Sequence, residues 1–302
     1  MVARTALITG TSRGIGAACT ARLARGGWRV YAGVRRDEDR QRLLAEHTDA
    51  DVVPVLIDVT DRSSIDDVIA RIDGEVGALH GVVNNAGISV VGPVELLDEM
   101  EWREQFDVNF FGAVAVTRAA FPLVRRGHGR FVHVGSIQGR VAIPGNGPYG
   151  AAKHALEAVN WVLRAEMARD AKVTSSIIEP GVTRTAIFDK GGDQIRAFEE
   201  RLASLGATEH YAWLIDVGHG FLAAAAAQAM DPDRVARTVE HALTTRRPRA
   251  RYLVGLDSRI QATLALLPDW VRERTMSLLI GWYERGGRTR LDQDAERART
   301  DG

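Results

Sequence analysis

Tyr149 and Lys153 stand four residues apart in Tyr149-Gly150-Ala151-Ala152-Lys153, and Ser136 lies 13 residues upstream of the tyrosine. On a helix such a pair shares one face, one turn apart, so an ammonium comes beside a phenol. A free phenol titrates near ~10 and is a poor acid or base at neutral pH until a cation stabilises its phenolate. With a hydroxyl to hold the same reacting oxygen, the three groups read as a proton-transfer site. Of the 39 basic residues only Lys153, Lys172 and Lys190 are lysines, so a lysine here stands out against an arginine-dominated background. Taken alone, the pair would also suit an ordinary surface helix.

The elements that must position these groups form a regular alternation. Short β-branched and aliphatic runs at Ala6–Thr9, Arg29–Val34, Val52–Ile57, Gly81–Asn84, Phe131–Gly135 and Thr174–Ile178 predict strands. Segments with helical spacing at 14–25, 38–47, 62–76, 99–124 and 148–169 fall between them. Asp61, Asp98 and the Pro93 region mark starts, and Gly26-Gly27 and Gly127 mark ends. Strands that alternate with helices in this way predict a doubly wound α/β fold with a parallel sheet. The alternation stops near residue 186. An insertion of about forty residues to 230 follows, a length more often functional or mobile than idle. Asp231-Pro232-Asp233 then starts a helix, Tyr252–Gly255 is a last strand, and 258–285 is helical with a break at Pro268.

Between the first strand and its helix lies Thr9-Gly10-Thr11-Ser12-Arg13-Gly14-Ile15-Gly16. Glycines at such a junction let the chain turn sharply and let a pyrophosphate approach amides at a helix N-terminus. The spacing is Gly-x3-Gly-x-Gly, unlike the commoner G-x-G-x-x-G. Strand two ends in Val34 without the acid that would take the ribose hydroxyls of NAD; Arg35 and Arg36 follow, and Arg13 lies in the turn. Guanidinium groups there favour the 2′-phosphate of NADP(H). The alternatives are that these arginines are solvated loop charges, or that Asp37 takes the ribose, so NAD(H) stays open.

Together these features resemble the short-chain dehydrogenase/reductase family over about residues 4–185. The turn with Gly10, Ser12, Arg13, Gly14, Ile15 and Gly16 looks like that family's cofactor motif. Asp58, followed by Val59, resembles its adenine contact, and Asn84-Asn85-Ala86-Gly87 the segment that steadies the sheet and lines the cofactor. Asn109, Ser136, Tyr149 and Lys153 match a catalytic tetrad, and Pro180-Gly181-Val182-Thr183 the turn at the nicotinamide amide. Two positions depart from many relatives: Gly135 before the serine and Glu179 before the Pro-Gly turn. Neither removes a reactive group. Tyr31-Ala32-Gly33-Val34-Arg35 and Lys153-His154-Ala155-Leu156-Glu157 are loosely similar to the branch with hydroxysteroid and retinol dehydrogenases. His154 is expected at a helix interface and His133 along a strand.

The resemblance implies a Rossmann-type domain and reversible carbonyl–alcohol interconversion by hydride transfer. Tyr149 would act as general acid and base, Ser136 would hold the oxygen, and Lys153 would lower the tyrosine pKa and hold the ribose. Asn109 would hold a water linking Lys153 to solvent. It also implies a homodimer or homotetramer, through the helices carrying Asn109 and Tyr149. Besides the small carbonyl or alcohol substrate no partner or metal is expected. A non-catalytic NADP(H) sensor on the same fold, or an NAD-preferring alcohol dehydrogenase, is the alternative.

Substrate expectations rest on the insertion, where Ile187, Phe188, Ile195, Phe198, Leu202, Leu205, Tyr211, Trp213, Leu214 and Phe221 are apolar. As a lid they would favour a lipophilic steroid, retinoid or long-chain ketone; as plain helix packing they would say nothing of substrate. The chain is read as residues 1–257 in one domain, 258–287 as a helical extension, and 288–302 as a disordered tail. Equal numbers of acidic and basic residues, 39 each, give no field for nucleic acid. A single cysteine, Cys19, and no signal sequence point to a cytoplasmic address. No apolar run nears the ~18 residues of a membrane span. For 258–285, packing on the domain or a second subunit is expected ahead of membrane contact.

Overall fold

The computed structural model describes residues 4–48, 50–169, 173–184 and 191–300. Lys172, Ile187, Phe188 and Lys190 lie outside the described residues. Seven strands form one parallel sheet in the order β3-β2-β1-β4-β5-β6-β7. They are β1 (Thr5–Thr9), β2 (Arg29–Val34), β3 (Val52–Leu56), β4 (Gly81–Asn84), β5 (Arg130–Val134), β6 (Thr174–Pro180) and β7 (Arg251–Val254). The order reverses between β1 and β4, so the crevice for a ligand opens at the carboxyl ends of these strands.

Both sheet faces are covered, which is why the strands read as continuous apolar runs. Successive side chains alternate between faces. Ala6 and Ile8 pack with Cys19 and Leu23 of α1 (Gly14–Arg25) and with Val235 and Val239 of α9 (Pro232–Thr244). Leu7, between them in sequence, faces Ile65 and Ile72 of α3 (Arg62–Val76) and Val116 and Leu123 of α5 (Ala113–Gly127). Helix α2 (Asp37–Glu46) closes the β3 edge, where Leu43 packs on Ala32 and Val34.

Local chemistry explains the boundaries. Asp61 caps α3 by accepting from the Ser63 amide at 2.9 Å. Asp98 and Glu101 form a reciprocal capping box at the start of α4 (Glu99–Phe106), each bond 2.9 Å. Between α4 and α5 the chain widens into a π turn, Asp107–Gly112, and Asn109 sits in it. Pro148 stands in the first turn of α6 (Gly147–Glu166), where its missing amide hydrogen costs nothing.

The segment Glu99–Gly127 has the length and, at 1.2, the mean hydropathy of a membrane span. Charged residues interrupt it, so it holds no uninterrupted apolar run of that length. In the fold its Val116, Ala120, Leu123 and Val124 are core residues.

The insertion folds as α7 (Gly191–Ser204) and α8 (Thr208–Gln228), and the chain ends in α10 (Leu256–Leu264) and α11 (Asp269–Thr300). The break expected at Pro268 falls between the last two. Helix α11 runs on through most of the stretch that composition marks as a disordered tail. Phe198, Leu202 and Leu214 form a satellite core with Leu96 and Trp213. Arg201 ties this pair of helices to Glu101 at 2.5 Å, and Tyr211 ties it to Glu95 at 2.6 Å. Leu214 reaches Gly145, where its Cδ2 would lie 3.1 Å from an added Cβ. The two helices therefore roof the loop that leads into α6.

Candidate active site

The turn after β1 carries its glycines where the backbone needs them. Gly10 and Gly14 have φ of 70° and 60°, in the left-handed region that disfavours side chains. At Gly16 an added Cβ would fall 2.6 Å from Asn85 Nδ2. Asn85 knits the turn to β4, its Nδ2 donating to the carbonyls of Thr9 at 3.0 Å and Gly10 at 2.9 Å. The Asn85 and Ala86 amides donate to Thr9 Oγ1 at 3.1 and 3.0 Å. Helix α1 begins here with no side-chain cap and no acid in its first turn. Uncapped amides at a helix start suit an anion, so the residues present fit a pyrophosphate.

The expected ribose end is more crowded than its sequence suggests. Arg13 and Arg35 are exposed. Arg36 instead pairs with the buried Asp39 at 3.3 Å, and Asp37 is held by Arg40 at 2.6 Å. Arg42, not singled out in the sequence, pairs with Asp39 at 2.9 Å and donates to the Ser12 carbonyl at 2.5 Å. Its sequence signals are the i,i+3 spacing from Asp39 and the i,i+4 spacing to Glu46. Asp58 Oδ1 accepts from the Thr60 amide and hydroxyl at 2.9 and 2.7 Å, and Val59 packs into the space at Gly112.

Asn109, Ser136, Tyr149 and Lys153 come from the π turn, the end of β5 and α6. Ser136 accepts from the Gln138 amide at 3.1 Å, and its hydroxyl favours the ionised form of the Tyr149 phenol. Lys153 Nζ lies 5.5 Å from the centre of the Tyr149 ring and donates to the Val134 carbonyl at 2.8 Å. Asn109 is buried and bonds the Ile88 backbone twice, accepting from its amide at 2.8 Å and donating to its carbonyl at 3.0 Å. Gln105, one turn earlier, does the same for the Val90 amide at 2.7 Å and the Ile88 carbonyl at 3.0 Å. These two amides give the wall after Gly87 the partners a strand would have supplied.

Burial governs the electrostatics. It pushes the Tyr149 phenol above its ordinary value, against the smaller lowering influence of the Ser136 hydroxyl. Lys153 is lowered to about 8 by burial. His133, buried in β5, is lowered to about 4 by burial and by the Lys153 charge, so it is neutral. Its Nδ1 lies 3.2 Å from Asn84 Nδ2, which donates to Thr117 at 2.8 Å. His154 is exposed, its Nδ1 2.8 Å from the Gly150 carbonyl, rather than at a helix interface within the chain.

The Pro180-Gly181-Val182-Thr183 turn is fastened from two sides. The Val182 amide donates to Asp257 at 2.6 Å, and the Met230 amide donates to the Val182 carbonyl at 3.0 Å. Glu179 just before it is fully buried and meets Arg140 at 2.8 Å and Arg251. Arg251 also binds Glu157, one turn beyond Lys153, at 3.1 Å. Burial, and Glu157 after it, push the Glu179 carboxyl up. This four-residue cluster joins the segments carrying Ser136, Lys153 and Pro180. No sequence spacing announces it, because its members come from four elements.

A family model described as short chain dehydrogenase matches residues 4–195. YbbO, an uncharacterised oxidoreductase of Escherichia coli K12, is 32% identical over 279 residues, covering 90% of this chain and 94% of that protein. Retinol dehydrogenase 5 of Mus musculus is 32% identical over 292 residues, 91% of this chain and 87% of its own. The crystal structure of a short-chain dehydrogenase from Streptomyces avermitilis matches with a TM-score of 0.71 at 28% identity, covering 92% of this chain and 96% of its own. With the reversing parallel sheet, the uncapped glycine turn and these relatives in agreement, the chain belongs to the short-chain dehydrogenase family of oxidoreductases.

Proposed function

We propose that the protein interconverts a carbonyl and an alcohol with NADP(H), with Tyr149 as general acid and base. The observation that carries this is the Lys153 ammonium at 5.5 Å from the Tyr149 ring, with the Ser136 hydroxyl favouring the ionised form of the same phenol. When bound, the nicotinamide supplies or accepts the hydride, chemistry no side chain provides. In reduction, Tyr149 Oη gives its proton to the carbonyl oxygen and is left as phenolate; in oxidation it takes that proton back. Ser136 Oγ donates to the same oxygen and fixes its position. Lys153 stabilises the phenolate by its charge and holds the ribose, and Asn109 orders the route by which the proton is replaced.

NADP(H) over NAD(H) is supported by the side chains after β2. Asp37, the alternative ribose acceptor, is engaged by Arg40 at 2.6 Å, whereas Arg35 and Arg13 are exposed to meet a 2′-phosphate. The Gly10, Gly14, Ile15 and Gly16 backbone would take the pyrophosphate, and Asp58, Val59, Asn85, Ala86, Gly87 and residues 180–183 would line the rest.

The substrate we infer is lipophilic. Leu214 of α8 closes over Gly145 beside the site, and a relative is named for retinol, a lipophilic alcohol. The catalytic unit is then 1–257, with 258–287 as its extension. The exposed Phe111 and Trp161 lie on the helices through which a homodimer or homotetramer would form. The buried free Cys19 suits a cytoplasmic setting.

The test is nicotinamide absorbance with NADPH or NADH across aldehydes and ketones of increasing chain length. Faster turnover with NADPH and longer chains is expected. Absence of cofactor binding in a fluorescence titration would sink the reading.

A further inference from the structure

Helix α11 has two unlike faces. The inner one is locked on α8: the Tyr283 carbonyl fills the space beside Gly220, the Asp216 carbonyl fills that beside Gly287, and Arg288 pairs with Asp216 at 2.8 Å. The Tyr283 ring meets Phe221 edge-on at 5.8 Å. The outer one carries Trp270, Arg274, Leu278, Trp282 and Arg285, whose spacing of four, four, four and three places them in one stripe. Trp270 is 72% exposed, Leu278 65% and Trp282 54%; Leu266, in the turn just before α11, is 80% exposed.

Charge decides what covers this stripe. It holds two arginines and no carboxylate. Over 269–289 the acids Asp269, Glu273 and Glu284 lie toward the flank, where Asp269 pairs with Arg272 at 3.0 Å and Glu284 with Arg288. Arg274 and Arg285 make no ion pair with the described residues. A second copy pairing stripe on stripe over 270–285 would bring the same two arginines against them. An anionic lipid surface supplies phosphates for the arginines and a headgroup boundary for indole rings, which are apolar in body and polar at N–H.

We propose that the α10–α11 hairpin docks on an anionic bilayer surface. Trp270, Leu278, Trp282 and Leu266 enter the headgroup boundary, and Arg274 and Arg285 bind lipid phosphates. The helix lies on the membrane and does not cross it. Because its other face grips α8, docking sets the helix that meets Gly145 close to the lipid. The proposal stands on exposure and charge and does not depend on the reaction assigned above.

Sedimentation of the full chain with vesicles of phosphatidylcholine, with and without phosphatidylglycerol, tests it. The wild-type chain is expected to pellet with the anionic vesicles and to stay in solution with pure phosphatidylcholine or at high salt. Arg274→Gln with Arg285→Gln should weaken partitioning roughly thirtyfold, about fivefold for each arginine. Trp270→Ser with Trp282→Ser should abolish it with the melting temperature unchanged, since both rings are outside the core. A wild-type chain that stays in solution with anionic vesicles overturns the proposal, as does binding that survives both double variants. A dimer that the tryptophan variant turns into a monomer, without vesicle binding, would give the stripe to a second copy instead.

Discussion

Lys153 Nζ stands 5.5 Å from the centre of the Tyr149 ring while its short hydrogen bond, 2.8 Å, goes to the Val134 carbonyl. The ammonium is thus anchored to β5 and acts on the phenol through space. The Ser136 hydroxyl acts on the same phenol, favouring its ionised form against the burial that raises it.

Removing the phenolic hydroxyl separates proton transfer from binding. Tyr149→Phe is expected to cut turnover by at least about a hundredfold, the low end of general-acid contributions. Cofactor affinity, followed by nicotinamide fluorescence, should be nearly unchanged. Turnover close to the wild-type rate would refute the assignment.

A charged lysine in this wall works against stability. Burial lowers it from 10.5 to about 8, so the native state disfavours the proton that the unfolded chain holds. The associated stabilisation is complete above pH 10.5 and is lost as pH falls to about 8, a difference of about 3 kcal/mol. Lys153→Met should therefore melt higher than wild type at neutral pH while losing activity. Thermal unfolding of the two proteins from neutral to alkaline pH checks the sign.

His133 titrates in the acid range. Its folded value of about 4 lies below the ordinary 6.5, so its stabilising share is complete above pH 6.5 and disappears as pH falls toward 4. About 3 kcal/mol rides on that interval. His133→Asn is expected to flatten the stability curve there, measured by urea midpoints at successive pH values. An unchanged slope would mean that His133 is not neutral in the fold.

Cofactor choice should follow Arg35. Exposed beyond β2, it makes no ion pair among the described residues. Arg35→Ala is expected to weaken NADPH about tenfold or more, the worth of a charge-assisted bond, and to leave NADH unaffected. Parallel titrations with the two cofactors decide it, and equal losses for both would argue against a 2′-phosphate contact.

The buried Glu157–Glu179–Arg140–Arg251 group should respond as a unit. Arg251→Met leaves two carboxylates short of a partner, at a cost of about 3–5 kcal/mol. Adding Glu157→Gln removes one of those charges and should restore a good part of the loss. Additive destabilisation in chemical unfolding would show that the two side chains do not share an interaction.

Much of this protein could be read along the chain. Strand and helix positions, the glycine turn, the Tyr-x-x-x-Lys pair and the break at Pro268 are local, set by periodicity and by backbone geometry over a few residues. Asp61 and Asp98 start helices because their carboxylates reach amides two and three residues away. What the fold alone decided involves partners far apart in sequence. Arg36 was a candidate ribose contact by position, yet Asp39 holds it, and Arg42 reaches Ser12 across 30 residues. The Glu179 cluster draws on four elements, and Gln105 and Asn109 fasten a backbone segment no pattern marks. The stripe on α11 shows the limit most clearly: its residues are written in the sequence, but whether they face the core or solvent depended on which side α8 would cover. Burial is a property of the assembled chain, so the charges it shifts and the surfaces it leaves open are settled only when distant segments meet.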